Sequence, residues 1–207
     1  MSDMMLRIYP ENPAPRHIKM VLDVLSDGGV VIYPTDSVYA IGCDMNNQKA
    51  IDKLCRIIGK KPEDANLAII CYDLSNISEY TVPFSNGVYK MMKSSLPGPY
   101  TFILKANNKV PKLFKNKKKE IGIRVPDNAI PRTMVQEFGS PIVTASIKLK
   151  NGETTPNPED IYEQYKNDVD LIIDGGMGSL EGTTVLDCTG DEVVLIREGI
   201  GEVEVVD

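Results

Sequence analysis

Three hydroxyl side chains, Thr35, Ser37 and Tyr39, alternate along the segment Tyr33-Pro34-Thr35-Asp36-Ser37-Val38-Tyr39-Ala40-Ile41-Gly42-Cys43. They follow the apolar run Gly29-Val30-Val31-Ile32, which reads as a short buried strand after the helix breaker Gly28-Gly29. Polar groups where a buried strand opens into a loop face a ligand in many α/β proteins, although the same residues also suit an ordinary polar turn. Arg124 stands inside Ile121-Gly122-Ile123-Arg124-Val125, where a guanidinium is costly to bury without a partner; the alternative is a surface ion pair. A third cluster, Lys112-Leu113-Phe114-Lys115-Asn116-Lys117-Lys118-Lys119, places five lysines in eight residues around one aromatic ring. It suits a nucleic-acid backbone or, more blandly, a solvated loop.

Other chemistries are disfavoured. His17 is the only histidine and falls on an expected N-terminal helix, which argues against Ser-His or Cys-His catalysis and against multi-histidine metal sites. Cys43, Cys55, Cys71 and Cys188 are scattered without a Cys-x-x-Cys pair, so they read as small core residues. Neither a Gly-x-x-x-x-Gly-Lys-[Ser/Thr] loop nor a Gly-x-Gly-x-x-Gly is present. Gly175-Gly176-Met177-Gly178 is glycine-rich, but a turn there needs positive φ without any ligand.

The 207 residues suit one domain, 1–207, with 42% hydrophobic and 25% charged content. No apolar stretch approaches the ~20 residues that span a bilayer, and no signal peptide is visible, so a cytoplasmic protein without a membrane partner is expected. The net charge of −6 is uneven: residues 150–207 hold 3 Lys/Arg against 15 Asp/Glu, and residues 1–149 hold 20 against 14. An acidic total is therefore compatible with an anionic ligand.

Ile18, Val21, Leu22 and Leu25 recur at helical spacing up to Gly28, and Asn47 caps a helix carrying Ala50, Ile51, Leu54 and Ile58. Val88, Met91, Met92 and Leu96 form another helical stripe stopped by Pro97-Gly98-Pro99. Further helices are expected near Ala129–Phe138 and Glu159–Tyr165. Strands are expected at Leu67–Cys71, Thr101–Lys105, Ile121–Val125, Ile142–Ala145, Leu171–Ile173, Thr184–Cys188 and Val193–Ile196. The pattern gives a single α/β domain with a twisted mixed β-sheet and flanking helices.

The segment from Pro34 to Gly42 resembles the Pro-Thr-Glu-Thr-Val-Tyr-Gly-Leu-Gly signature of the YrdC/YciO family, which includes the threonylcarbamoyl-AMP synthases. Pro97-Gly98-Pro99-Tyr100-Thr101 and Ile121-Gly122-Ile123-Arg124-Val125-Pro126 resemble that family's Pro-Gly-Pro-x-Thr and Val-Gly-Val-Arg-Val-Pro elements. Asp174-Gly175-Gly176, Thr183-Thr184-Val185-Leu186-Asp187 and Arg197-Glu198-Gly199 follow in the family's order. The resemblance implies a YrdC-like fold with a concave cationic cavity. It also implies synthesis of threonylcarbamoyl-AMP from L-threonine, bicarbonate and ATP for modification of tRNA. Thr35, Arg124, Thr144 and Thr183 would then hold threonine, while Lys60, Lys61, Ser146 and Arg197 would face the nucleotide. Magnesium would arrive with ATP rather than as a permanently bound metal. Double-stranded RNA or tRNA would engage Lys112, Lys115, Lys117, Lys118 and Lys119.

Two departures point toward the YciO branch. Synthases carry Lys-x-Arg-x-x-x-Lys-Pro-Leu where this chain has Gly59-Lys60-Lys61-Pro62-Glu63-Asp64-Ala65-Asn66-Leu67, and Glu63 and Asp64 work against a triphosphate. Ser146-Ile147-Lys148 replaces Ser-Ala-Asn. A YciO-type protein that binds double-stranded RNA or a nucleotide with little or no synthesis is the alternative.

Overall fold

The computed structural model describes residues 5–111 and 119–203. Four of the five lysines proposed for RNA, Lys112, Lys115, Lys117 and Lys118, lie outside the described residues; Lys119 is exposed. The described strands form one ten-stranded sheet. In spatial order they are β1 (Met5–Arg7), β8 (Leu171–Asp174), β2 (Val31–Tyr33), β3 (Ala40–Asp44), β7 (Ile142–Ser146), β4 (Ala68–Ile70), β6 (Glu120–Arg124), β5 (Tyr100–Lys105), β9 (Thr184–Asp187) and β10 (Val194–Arg197). β1, β8 and β2 run parallel, as do the pairs β4/β6 and β5/β9; the other neighbours are antiparallel. The sheet is therefore mixed.

Helices α1 (Pro15–Ser26) and α5 (Ala129–Phe138) cover one face, burying Ile18, Val21, Leu25, Ile130, Met134 and Val135 against Val31, Tyr33, Ile70, Ile142 and Ile173. Helices α2 (Gln48–Ile57), α4 (Asn86–Ser95) and α6 (Pro158–Tyr165), with the short α3 (Leu74–Ser78), join the core on the other face, against Ile32, Ile41, Ile69, Phe102, Ile123 and Leu186. Each large aliphatic side chain taken out of water there stabilises the fold by about 1.5–3 kcal/mol before chain entropy is counted. Local signals set the helix ends. The Asn47 side chain accepts a hydrogen bond from Ala50 N at 3.0 Å, and Gly139 in the left-handed region stops α5.

Strand β3 departs from expectation, because the signature segment read as strand followed by loop. Only Pro34–Tyr39 is loop; Ala40–Asp44 returns antiparallel to β2 and is buried along most of its length. β1 and α3 also escaped the sequence, being too short, at three and five residues, to show a period.

Strand register explains where open space is left. Ile70 and Ile142, covered by the α1/α5 layer, share a face with Ala68 and Thr144, since side chains alternate along a strand. Continuing across the ladder, that same face carries Gly122, Arg124, Thr101, Ile103, Val185 and Asp187. α1 and α5 do not extend their buried stripes over these residues, and a hollow remains.

Candidate functional site

Arg124, the last residue of β6, anchors this hollow and is only 4% exposed. Its Nη2 donates to Asp36 Oδ1 at 3.0 Å, Ser37 Oγ at 3.1 Å and Thr35 Oγ1 at 3.4 Å. Asp36 Oδ2 accepts the Asp127 N–H at 2.8 Å, tying the signature loop to the segment that opens α5. Burial pushes the Arg124 guanidinium down and the Asp36 carboxyl up, and the attraction between them opposes both shifts. The rest of the guanidinium is unspent. Nε is buried with no partner, and Nη1 donates no hydrogen bond among the described residues.

Thr35 serves its own loop. Its hydroxyl donates to Val38 O at 2.8 Å and accepts from Ser37 N at 3.0 Å and from Arg124, so its one proton and both lone pairs are used. Tyr39 likewise looks inward, donating to Gly176 O at 2.7 Å and accepting from Gly175 N at 3.1 Å. The glycine-rich run is thereby clamped onto the signature loop. A Cβ on Gly175 would stand 2.4 Å from Pro34 Cγ, and Gly176 holds φ of +92°.

The hollow has a volume of about 660 Å3, within the roughly 300–1,000 Å3 common for small-molecule sites. Arg124, Thr144, Ser146, Thr183 and Arg197 all line it, so five of the expected site residues converge. Thr144 Oγ1 accepts from the Tyr33 hydroxyl at 2.8 Å, whose pKa burial pushes far up, keeping it a donor. Arg197 donates to Thr183 O through Nε (3.1 Å) and Nη2 (2.9 Å), and Thr183 shares a 2.8 Å hydroxyl contact with Thr101.

Thr35 stands behind Arg124, outside this lining. Lys60 and Lys61 are exposed on the turn before a 3-10 helix at Pro62–Asp64 and do not line the hollow, whereas Glu63 and Asn66 do. Glu120 and Asp187 add further carboxylates. A smaller recess of about 280 Å3 continues from Ser146 and Arg197 and includes Lys148. Sequence reading assigned no role to Thr101 or Asp36. The signals were there: Thr101 closes the Pro-Gly-Pro-x-Thr element, and Asp36 is the one acid among the signature hydroxyls, available to a lone arginine in an apolar strand. His17 lies on α1, and all four cysteines are buried and unpaired.

A family model for Sua5, YciO and YrdC proteins, described as Telomere recombination, matches residues 23–199. The chain belongs to the Sua5/YciO/YrdC family. Within it, the uncharacterized protein YciO of Escherichia coli (strain K12) is 41% identical over 95% of this chain and 96% of its own length. The crystal structure of E. coli YciO superposes with a TM-score of 0.91 at 39% identity, covering 98% of each chain. A threonylcarbamoyl-AMP synthase of Vibrio vulnificus (strain YJ016) is 27% identical over 78% of this chain and 88% of its own. The Sua5 structure from P. abyssi complexed with L-threonine shares the fold, with a TM-score of 0.87 at 21% identity over 94% of this chain and 57% of that one. This Sua5/YciO/YrdC protein is thus more similar to YciO than to the Vibrio synthase. Among the described residues no helix is long and apolar enough to cross a membrane, and no group of three or more His, Cys, Asp or Glu is placed to hold a metal.

Proposed function

We propose that this chain joins L-threonine, bicarbonate and ATP into threonylcarbamoyl-AMP, the activated group used to modify an adenosine of tRNA. The observation that carries the reading is the Arg124 guanidinium, buried on the hollow with donors left over from its loop contacts. A buried cation with donors still to satisfy, lining a hollow of amino-acid-plus-nucleotide size, suits a substrate carboxylate taken up through Nη1. Thr144 and Thr183 would line the amino-acid end, and Ser146 and Arg197 the nucleotide end. The threonine amine attacks the bicarbonate carbon and water leaves. A carbamate oxygen then attacks the α-phosphorus of ATP, and pyrophosphate departs. Neither step needs a nucleophile from the protein, which fits a site of hydroxyls and guanidinium groups. Magnesium enters bound to ATP and offsets phosphate charge. Supporting relatives are the Vibrio synthase and the P. abyssi Sua5 structure complexed with L-threonine.

Purified protein with ATP, threonine and bicarbonate tests the reading: pyrophosphate release should require all three, and mass spectrometry should detect the carbamoyl-adenylate. A second reading is a YciO-type protein that binds a nucleotide or double-stranded RNA with little synthesis. It is favoured by Glu63 and Asn66 on the hollow where a synthase carries cations, with Lys60 and Lys61 off it. Absence of turnover at saturating substrate, with nucleotide or duplex RNA still bound, would select that reading.

A further inference from the structure

Given the nucleotide reading above, the smaller recess bears on where the phosphates lie. Ser146 ends β7 and the chain continues extended: Ile147 N donates to Tyr39 O at 3.0 Å, and the Ile147 side chain is buried. Alternation therefore puts Ser146 and Lys148 on the same side, and both line the recess. Arg197 faces them, with Nε and Nη2 held by Thr183 and Nη1 left to donate. Glu181 and Glu198 complete the charged lining. None of Lys148, Arg197, Glu181 and Glu198 forms an ion pair with a described residue. Two cations and two carboxylates around about 280 Å3 would repel a bare polyphosphate as much as attract it. A magnesium-bound polyphosphate answers both signs at once. The ammonium and guanidinium take phosphate oxygens, while the carboxylates take the hydrated ion, which characteristically binds one or two carboxylates together with substrate phosphates.

We propose that the recess beside Ser146 receives the magnesium-bound phosphate chain, with Lys148 and Arg197 on the phosphates, in place of the Lys60–Lys61 turn. The main hollow, with Glu63 at its edge, is then left to the uncharged parts of the nucleotide and to the amino acid.

Calorimetric titration of ATP, ADP and adenosine, with and without magnesium, tests this. Lys148 is exposed and only its carbonyl supports the fold, through the Tyr165 hydroxyl, so Lys148→Ala should fold normally. Lys148→Ala should weaken magnesium-ATP and magnesium-ADP at least tenfold, leave adenosine within twofold, and cost more than Lys60→Ala/Lys61→Ala. Glu198→Gln should tighten metal-free ATP and shrink the gain on adding magnesium. Equal ATP affinity in wild type and Lys148→Ala, or a larger loss in the Lys60/Lys61 variant, would overturn the proposal while leaving the nucleotide reading intact. Equal losses for ATP and adenosine would show that Lys148 acts through the fold and would also overturn it. Failure of the wild-type chain to bind any of the three would remove the nucleotide reading itself.

Discussion

Arg124 does two jobs with one planar group: Nη2 fixes the signature loop, and the residue lines the hollow with donors to spare. Arg124→Lys keeps the charge but cannot hold a loop and a carboxylate in one plane. It should recover only part of the about 2–4 kcal/mol that Arg124→Ala removes from threonine binding, as measured by calorimetry. Asp36 tests the other side of the pair. Removing the partner of a buried charge costs about 3–5 kcal/mol, so Asp36→Ala should shift the denaturant midpoint strongly. Asp36→Asn, which can still accept from Asp127 N, should shift it less. Equal losses for the two variants would mean that the hydrogen bond to Asp127 N contributes nothing beyond the carboxylate charge.

At the level of elements, the glycine run works as a clamp. Its contact with Pro34 leaves no room for a methyl group, so Gly175→Ala must push the signature loop away from β2. Overpacking of this kind costs about 1–3 kcal/mol. The expected result is a lower melting temperature together with weaker threonine binding; a loss of stability with unchanged affinity would show that loop position does not matter to the site. Much of this layer was legible in the sequence because helices α1, α2, α4, α5 and α6 each bury one stripe, and the stripes recur with the helical period. β2, β4, β7 and β8 were legible for a related reason, as short apolar runs buried along most of their length. β3 was not, because the hydroxyls and Pro34 ahead of it read as a loop that continues through Cys43. The pairing order was also hidden, since β8 between β1 and β2 depends on contacts 140 or more residues apart. Likewise, spacing could mark Thr35 as chemically interesting but could not show that its hydroxyl would be consumed by Ser37, Val38 and Arg124.

For the whole molecule, the buried thiols make stability depend on alkaline pH. Burial pushes Cys188 up to about 11, and Cys43 and Cys71 further. A thiol whose folded pKa exceeds its unfolded value near 9 contributes stability that is complete below about pH 9 and lost as the pH rises through 11. Melting temperature should therefore fall over that window, and Cys188→Ala should flatten the fall. The charge asymmetry predicts a different titration. If the Lys112–Lys119 stretch engages duplex RNA, replacing Lys115, Lys117, Lys118 and Lys119 with alanine should reduce the log–log salt slope by up to about three. Identical slopes would mark the stretch as a solvated loop. The uneven helix cover of the sheet has one more consequence. β2, β3, β7 and β8 lie between two layers of packed side chains, whereas β5, β6 and β9 have such a layer on one face only, and β10 at the edge is exposed along its length. In deuterated solvent the amides of β10 and β9 should exchange first and those of β2 and β3 last. A bound nucleotide would act as the missing third layer, slowing exchange most in the strands that line the hollow and leaving the α1/α5 half unchanged.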